Sequence, residues 1–231
     1  IIYLINNSAN FVNKYKIITS DDGSNTIFLP EYNESYHSTF GAIQESMHVF
    51  IKSGFLEIEK QEISVFELGF GTGLNTLLTF IEAEKLGKSI DYHAIELFPL
   101  KKELVKQLNY CKLLSQECDQ IFNKIHEVAW NQSVAISDNF SLTKIIANFE
   151  NFEFAEKIDL FYFDAFAPEV QPELWTNSIF ERVFDNMNKN GILTTYSCKG
   201  SVKRALKSAG FQIEKIPGPK GKREILRARK M

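Results

Sequence analysis

The sequence predicts an α/β protein with a Rossmann-like fold, in which helices cover both faces of a mostly parallel sheet. From residue 63 onward, short apolar strands alternate with helical segments, and this alternation is typical of βαβ units. A glycine-rich turn at residues 69–73 joins the first of these strands to the first helix. The chain of 231 residues is 44% hydrophobic and 24% charged, which indicates a globular protein and excludes a disordered, collagen-like or disulfide-scaffold chain.

The first 60 residues are predicted to form a small extension before a main domain over residues 61–231. Two strands flank the turn Asp-Asp-Gly-Ser-Asn at 21–25, which is a hairpin signal, and a helix follows over 38–52 and ends near Gly54. The N-terminal segment IIYLINNSAN has no basic region or cleavage signal, and IIYLI is the longest apolar run. These features predict a cytosolic protein without a membrane span.

The main domain is predicted to alternate strands and helices up to a final strand pair, which we expect at an antiparallel edge. In such sheets the ligand binds at the carboxyl ends of the strands, near the point where the strand order reverses. The predicted strands cover residues 63–68, 89–97, 140–146, 157–166, 191–197, 211–216 and 222–229, and the predicted helices cover 75–87, 100–110, 172–187 and 201–210.

The turn at residues 67–73 has the pattern E-x-G-x-G-x-G. A dinucleotide fingerprint, G-x-G-x-x-G, would need glycine at position 74, where this chain has Leu74. An acidic residue before the first glycine suits a ligand with a positive amino acid end and does not suit a pyrophosphate. The turn therefore favours S-adenosylmethionine over NAD, although a merely tight strand–helix turn stays possible. The cofactor-binding residues predicted here are Glu67, Gly69, Gly71, Gly73 and Asn75.

Polar residues also follow three further predicted strands. Glu96 ends the second strand, where a carboxylate accepts hydrogen bonds from two ribose hydroxyls. Asn148 follows the third strand, where an adenine-contacting group is expected, with ordinary loop chemistry as the alternative. Asp164 closes the apolar fourth strand, and a carboxylate in that position is a functional-site candidate. Its alternatives are a helix cap or a loop salt bridge.

These residues together resemble one family. The segments ELGFGTGLN, IEL, DAFAPEVQPELW, GKREILRAR and YHSTFGAIQESMHVFI are similar to the methyltransferases that complete 5-methylaminomethyl-2-thiouridine at the tRNA wobble position. The resemblance covers roughly residues 25–231, and DAFAP with GKRE is its most specific part. It implies a class I S-adenosylmethionine-dependent methyltransferase with a seven-stranded sheet and an antiparallel terminal edge strand. The family commonly has an acidic residue where this chain has Asn148, which puts cofactor affinity in doubt.

The resemblance implies methylation of the primary amine of 5-aminomethyl-(2-thio)uridine in the tRNA anticodon stem-loop. Many members are fused to an FAD-dependent oxidoreductase, and this chain resembles the stand-alone form, so separate enzymes would supply the aminomethyl group. Asp164 would bind the ammonium and help to remove a proton, at the end of the pocket that also borders the cofactor. The target base must leave its stack. Residues expected to contact it are Phe166, Tyr196, Tyr36 and Glu45.

Basic residues near the C-terminus are candidates for phosphate contacts. Seven basic residues and one acidic residue fall in 215–231, although the whole chain carries a net charge of −3. An ordinary solvated face is the alternative. The predicted substrate-binding residues are Lys220, Lys222 and Arg223 from this segment, together with Lys199 at the start of the last predicted helix.

Two other functions stay open, and two further expectations concern cysteines and metals. An aminopropyltransferase of the spermidine synthase type shares the fold but has a second acidic residue where this chain has Ala167. A non-catalytic tRNA-binding module is the other alternative. Cys111, Cys118 and Cys198 form no CxxC pair, which fits a reducing compartment. No residue cluster resembles a metal site, so we expect no metal.

Overall fold

The computed structural model describes residues 15–115 and 118–231. The N-terminal segment on which part of the localisation prediction rests lies outside these ranges. Among the described residues, none of the helices combines the length and apolar character needed to cross a membrane.

The core of the protein is an eight-stranded sheet with the order β10-β11-β9-β8-β4-β5-β7-β6. The five strands from β9 to β7 are parallel, whereas β6, β11 and β10 pair antiparallel at the two edges. This confirms the mostly parallel sheet and the antiparallel terminal pair, and it adds β6 to the seven predicted strands. The strands are β4 Glu62–Leu68, β5 Ser89–Glu96, β6 Ser133–Ser137, β7 Phe140–Ile146, β8 Ile158–Phe163, β9 Met187–Thr195, β10 Gln212–Pro217 and β11 Glu224–Arg229.

Helices connect these strands. The predicted helix 75–87 is present as α2, which ends at Gly87 in the left-handed conformation. The helix α5 was not predicted, although Cys118, Phe122 and Ile125 form a buried face at helical spacing. The helices are α2 Leu74–Leu86, α3 Lys102–Val105, α4 Tyr110–Leu114, α5 Cys118–Glu127, α6 Asn177–Asn186 and α7 Gly200–Ser208.

Two of the predicted helices are broken. The helix expected over 100–110 is split into α3 and α4, because Asn109 accepts a hydrogen bond from the backbone of Asn25 at 2.7 Å and donates one to the carbonyl of Gly23 at 2.9 Å. The helix expected over 172–187 begins as a 3-10 turn, Pro172–Trp175, and restarts at α6, where the Thr176 hydroxyl caps the first turn.

The N-terminal region forms a three-stranded antiparallel sheet and a helix. The predicted hairpin is present as β1 and β2, and the predicted helix 38–52 begins later and becomes a π-helix, Met47–Lys52. Val49, Phe50 and Phe55 are buried in the same hydrophobic cluster as side chains of β4 and β5. The elements are β1 Lys16–Thr19, β2 Asn25–Leu29, β3 Glu34–Ser35 and α1 Ala42–Ser46, with a 3-10 turn at Phe55–Glu57.

The structure joins Cys111 of α4 to Cys118 of α5 in a disulfide, with their Cα atoms 5.4 Å apart. The sequence did not indicate this disulfide, since the lack of a CxxC pair is interpreted as fitting a reducing compartment. The pairing is possible because α4 ends and α5 begins within a few residues, which local spacing did not indicate. Cys198 is free.

The chain order places the polar residues at one edge of the sheet. From β4 the chain builds β5 and β7 on one side and then returns to build β8 and β9 on the other. The strand order therefore reverses at β4, and a ligand site is expected outside the carboxyl ends of β4, β5 and β8.

Candidate active site

A cavity of about 730 Å³ opens at this edge of the sheet. Its volume lies within the range of about 300–1,000 Å³ that is usual for small-molecule sites. Loops after β4, β5, β7, β8 and β9 line it, and β3 and α1 line the side opposite the sheet. Among the predicted site residues, the structure brings together Gly69, Gly71, Asn75, Glu96, Asn148, Asp164, Phe166, Tyr196, Glu45, Lys199 and Lys222.

The glycine turn begins with a close backbone approach between two strand ends. Gly69 has a φ of +97°, and a Cβ atom built there would lie 2.6 Å from the carbonyl oxygen of Asp164. A side chain at this position would therefore separate the turn after β4 from the strand end that carries Asp164.

Glu67 lies behind the cavity wall and does not line it. Its side chain is fully buried and accepts hydrogen bonds from Asn75 Nδ2 at 2.9 Å, Tyr92 at 2.9 Å and Thr76 at 3.1 Å. The structure thus gives Glu67 a different position from the one predicted: it orients Asn75, which does line the cavity. Gly73 is also outside the lining and precedes α2 as its N-cap.

Asn75 and Asp164 form the centre of the site. Asn75 Nδ2 donates to Glu67 Oε1 and also to Asp164 Oδ2, at 2.8 Å, so one amide holds two carboxyl groups. Burial, together with the negative charge of Glu45, raises the pKa of Asp164 to about 8, although the Asn75 hydrogen bond and the Lys222 charge lower it. Asp164 is therefore able to hold a proton near neutral pH.

We expect the substitution Glu67→Gln to stabilise the protein selectively at alkaline pH. Burial, and then the charge of Asp164, raises the pKa of Glu67 from 4.5 to about 8. Between these two pKa values the folded state therefore binds more protons than the unfolded state. The stability that the protonated Glu67 contributes is lost as the pH rises through this range. Each pKa unit corresponds to about 1.4 kcal/mol, so the gain of the variant over the wild type should grow by on the order of 2–4 kcal/mol between about pH 5 and pH 8.5. Urea unfolding of both proteins at each pH measures the difference in free energy of unfolding. A difference that does not change with pH would contradict the raised pKa of Glu67.

Glu96 and Asn148 line the cavity on the β5 and β7 side. Each Glu96 oxygen accepts one backbone N–H, from Gly71 at 3.1 Å and from Phe98 at 2.9 Å, and burial raises the pKa of the carboxyl. The Asn148 amide caps a short turn by accepting from the backbone of Glu150 at 2.9 Å. The guanidinium of Arg182 donates to carbonyls of the same turn.

One side of the cavity, which we call the acceptor side, is lined by Glu45, Asp164, Phe166 and Tyr196, and an ammonium group from the chain itself lies there. Lys222 Nζ lies 3.2 Å from Glu45 Oε1 and 4.4 Å from the centre of the Tyr196 ring. Glu45 is buried, and its other oxygen accepts from the backbone of Ser38 at 2.7 Å. The Tyr196 hydroxyl donates to the carbonyl of Ala165 at 2.8 Å, which fixes the ring beside Asp164. We call Lys222, Glu45 and Tyr196 together the ammonium cage. The sequence predicted each of these residues separately but did not indicate that they lie together, next to Asp164.

The other predicted basic residues lie at or outside the cavity mouth. Lys199 lines it and pairs with Glu169. Lys220 pairs with Asp21 at 2.8 Å outside the lining, and Arg223 is exposed and also outside it.

Aromatic rings border both halves of the site. Phe70 of the glycine turn packs edge-on against Trp130, with ring centres 5.6 Å apart, and the buried Lys144 lies 4.7 Å over the Trp130 ring. On the acceptor side, Trp175 Nε1 donates to the carbonyl of Phe166 at 2.8 Å. The Phe166 ring packs edge-on against Tyr36, with ring centres 5.1 Å apart.

Three potential metal ligands outside the cavity lining lie together, which the sequence did not indicate. The donor atoms of Asp91, His93 and Glu156 are within 4.8 Å of one another. His93 Nε2 lies 3.0 Å from Asp91 and 3.2 Å from Glu156, and hydrogen bonding to Asp91 is among the causes that raise the pKa of the imidazole. An ion-paired histidine accounts for this cluster.

The reversed strand order, the glycine turn and the acidic strand ends define an α/β enzyme of the class that binds a nucleotide-derived cofactor at the carboxyl edge of its sheet. The chain belongs to the S-adenosyl-L-methionine-dependent methyltransferase family, whose model matches residues 106–231. Its cofactor is therefore S-adenosylmethionine.

Relatives of the chain share one name. It is 30% identical over 213 residues to the tRNA 5-methylaminomethyl-2-thiouridine biosynthesis bifunctional protein MnmC of Nitrosospira multiformis, with coverage of 87% of this chain and 34% of the relative. The MnmC of Leptospira interrogans is 30% identical over 209 residues, with 85% and 32% coverage. The chain thus spans about a third of the length of these curated relatives.

Solved structures share the fold. MnmC2 from Aquifex aeolicus superposes with a TM-score of 0.79 at 24% identity, covering 97% of this chain and 71% of that one. Spermidine synthase from Thermotoga maritima gives a TM-score of 0.59 at 15% identity, covering 98% and 72%. Both confirm the predicted fold class.

The residues present fit the cofactor. Asn75 Oδ1 is buried and has no hydrogen-bond partner among the residues that the structure describes. The Glu96 carboxylate accepts backbone hydrogen bonds from the neighbouring loops on both oxygens, and because a carboxylate offers about four acceptor positions it keeps capacity for a hydroxyl donor. A buried acceptor and a carboxylate with spare capacity suit the amino group and the ribose of S-adenosylmethionine.

Proposed function

We propose that the protein methylates the primary amine of 5-aminomethyl-(2-thio)uridine at the wobble position of tRNA, giving the methylaminomethyl form. The observation that carries this proposal is the ammonium cage, in which a carboxyl group and an aromatic face hold an alkylammonium near a second carboxyl group, Asp164. The name of the relatives, which refers to 5-methylaminomethyl-2-thiouridine in tRNA, supports the same substrate.

The proposed roles follow from the position of each side chain. Asn75 would accept from the amino acid end of the cofactor, Glu96 from its ribose, and Asn148 would contact its adenine. S-adenosylmethionine supplies an electrophilic methyl group on a sulfonium when it is bound. Asp164 would bind the substrate ammonium, take one proton from it and orient the nitrogen for attack, because its raised pKa suits a base that works near neutral pH.

The acceptor side would hold the base after it leaves its stack. Phe166, Tyr36 and Tyr196 offer aromatic faces and edges along the cavity from its mouth to Asp164. Aromatic side chains of this kind commonly hold splayed bases in RNA-binding proteins. Glu45 would lie at the amine end of the pocket, where it pairs with Lys222.

Mass spectrometry of tRNA nucleosides tests the proposal. Purified protein, S-adenosylmethionine and tRNA that carries 5-aminomethyl-2-thiouridine should yield the methylaminomethyl nucleoside. A parallel reaction with putrescine and decarboxylated S-adenosylmethionine tests aminopropyl transfer, for which spermidine would be the product. Spermidine without nucleoside methylation would refute the proposal, and inactivity in both reactions, with tRNA still bound, would favour the non-catalytic alternative.

The exposed basic residues beside the cavity should make tRNA binding sensitive to salt. Lys220 and Arg223 are exposed on the turn between β10 and β11. Each phosphate contact contributes about 0.7–0.9 to the slope of log affinity against log salt concentration. The double variant Lys220→Ser with Arg223→Ser should therefore lower the slope by about 1–2 and weaken binding, as measured by filter binding over a range of salt concentrations.

The matched control for this experiment is Lys85→Ser. Lys85 is exposed at the end of α2, next to the start of β5 and so at the opposite edge of the sheet. The slope of log affinity against log salt concentration for Lys85→Ser should equal that of the wild type. Equal slopes in the double variant and the wild type would place the phosphate contacts elsewhere.

A further inference from the structure

Lys222 is in an unusual position for a residue expected to contact phosphate. It lies on the turn between β10 and β11, yet its ammonium points into the cavity, where it pairs with Glu45 and covers the Tyr196 ring. Its side chain is 29% exposed, against 59% for Lys220 on the same turn. An ion pair and a cation–π contact therefore hold its ammonium in this position.

The charge of Lys222 acts on Asp164. It is among the causes that lower the pKa of the Asp164 carboxyl, against burial and the charge of Glu45. A substrate amine placed beside Asp164 would feel the same positive charge. Since it repels an ammonium and attracts a carboxylate, the charge favours the state in which the amine and Asp164 together hold one proton over the state in which they hold two.

We propose that Lys222 is a positioning residue whose charge keeps the substrate amine and Asp164 from both being protonated, so that Asp164 is free to take the proton of the amine; this inference rests on the proposed function. Without Lys222 the carboxylates of the acceptor side would have less positive charge near them, and their negative charge would stabilise the unreactive ammonium. Lys222 forms an ion pair with Glu45, so the incoming nitrogen faces one unpaired carboxyl group. That group is Asp164, which accepts the proton. The titratable groups that face this region from the surrounding elements are Glu34, Tyr36, Glu45, Glu67, Asp164, Glu169, Tyr196 and Lys199.

The test is the pH dependence of single-turnover methyl transfer. Wild type, Lys222→Met and Lys222→Arg are assayed at saturating S-adenosylmethionine with tRNA that carries 5-aminomethyl-2-thiouridine. In Lys222→Met the acid limb of the pH–rate profile should move about one pH unit upward, because removal of the charge raises the pKa of both the amine and Asp164. The rate should fall about tenfold near pH 7 and recover near pH 9. Lys222→Arg keeps the charge and should keep the limb.

The matched control is Lys220→Met, from the same turn. It should raise the tRNA concentration needed for half-saturation and leave the acid limb in place, because its Nζ pairs with Asp21 outside the cavity. Calorimetry with S-adenosylmethionine checks that Lys222→Met is folded, and its affinity should match the wild type.

The outcomes separate the two proposals. A wild-type protein that does not methylate this tRNA overturns the proposed function, and the role of Lys222 with it. An active wild type, together with a Lys222→Met variant that loses the same factor at every pH or loses nothing, overturns the role of Lys222 alone.

Discussion

Replacement of Asp164 by Asn is expected to reduce methyl transfer by about two to four orders of magnitude, the usual contribution of general acid–base catalysis. The amide cannot accept a proton from the substrate ammonium. It can still accept the hydrogen bond that Asn75 donates to Asp164, so the centre of the site should keep its geometry. Single-turnover assays with saturating tRNA and S-adenosylmethionine measure the loss.

The control for this variant is cofactor binding. Calorimetry should give nearly the same affinity for S-adenosylmethionine in Asp164→Asn and in the wild type, since the contacts of Asn75 and Glu96 are retained. Turnover within a few-fold of the wild type would show that Asp164 is not the base.

The substitution Gly69→Ala is expected to have the second large effect, on cofactor affinity. The new Cβ would meet the carbonyl oxygen of Asp164 at 2.6 Å, so that two strand ends must separate. Overpacking of this kind costs about 1–3 kcal/mol, which corresponds to a fall in affinity of about ten- to a hundredfold if the distortion reaches the cofactor site. Calorimetry with S-adenosylmethionine measures the change.

Gly87→Ala is the matched control. Gly87 also has a positive φ, of +63°, but a Cβ there has nothing within 4 Å. This variant should lose about 1–2 kcal/mol of stability from backbone strain and keep its cofactor affinity. If Gly69→Ala binds S-adenosylmethionine as Gly87→Ala does, the close approach of the two strand ends is not what the site requires.

The sheet could be predicted because its strands are apolar runs separated by recognisable turns. Buried parallel strands such as β8, in which every residue is buried, give a strong signal in sequence. The edge strand β6 does not, because only one of its residues is buried and a bulge interrupts its pairing with β7. The breaks at Asn109 and Thr176 depend on side-chain hydrogen bonds that periodicity does not contain.

The site could be predicted as far as strand ends determine it. Glu96, Asn148 and Asp164 line the cavity because each lies at or just beyond the carboxyl end of a parallel strand, and Asn75 lines it from the first turn of the helix that follows β4. Local sequence gives a carboxylate the same signal whether it faces a ligand or the core, so the burial of Glu67 against Tyr92 was not foreseen.

Contacts between distant segments were the part that the sequence could not predict. The ion pair between Lys222 and Glu45 joins the last strand connection to the first helix. Its formation depends on how the N-terminal sheet and the β10–β11 turn meet over the cavity, for example through the bond between His48 and the carbonyl of Pro217. Periodicity and motif spacing describe neighbours along the chain, so they assigned Lys222 to a phosphate track.

The positions of the two tryptophans give the protein a pair of built-in fluorophores. Trp130 adjoins the glycine turn through Phe70, whereas Trp175 is bonded to the loop that follows Asp164. Emission from a Trp130→Phe variant would report on the acceptor side alone, and emission from a Trp175→Phe variant on the donor side alone. The order in which donor and acceptor enter is therefore open to stopped-flow measurement without an attached dye.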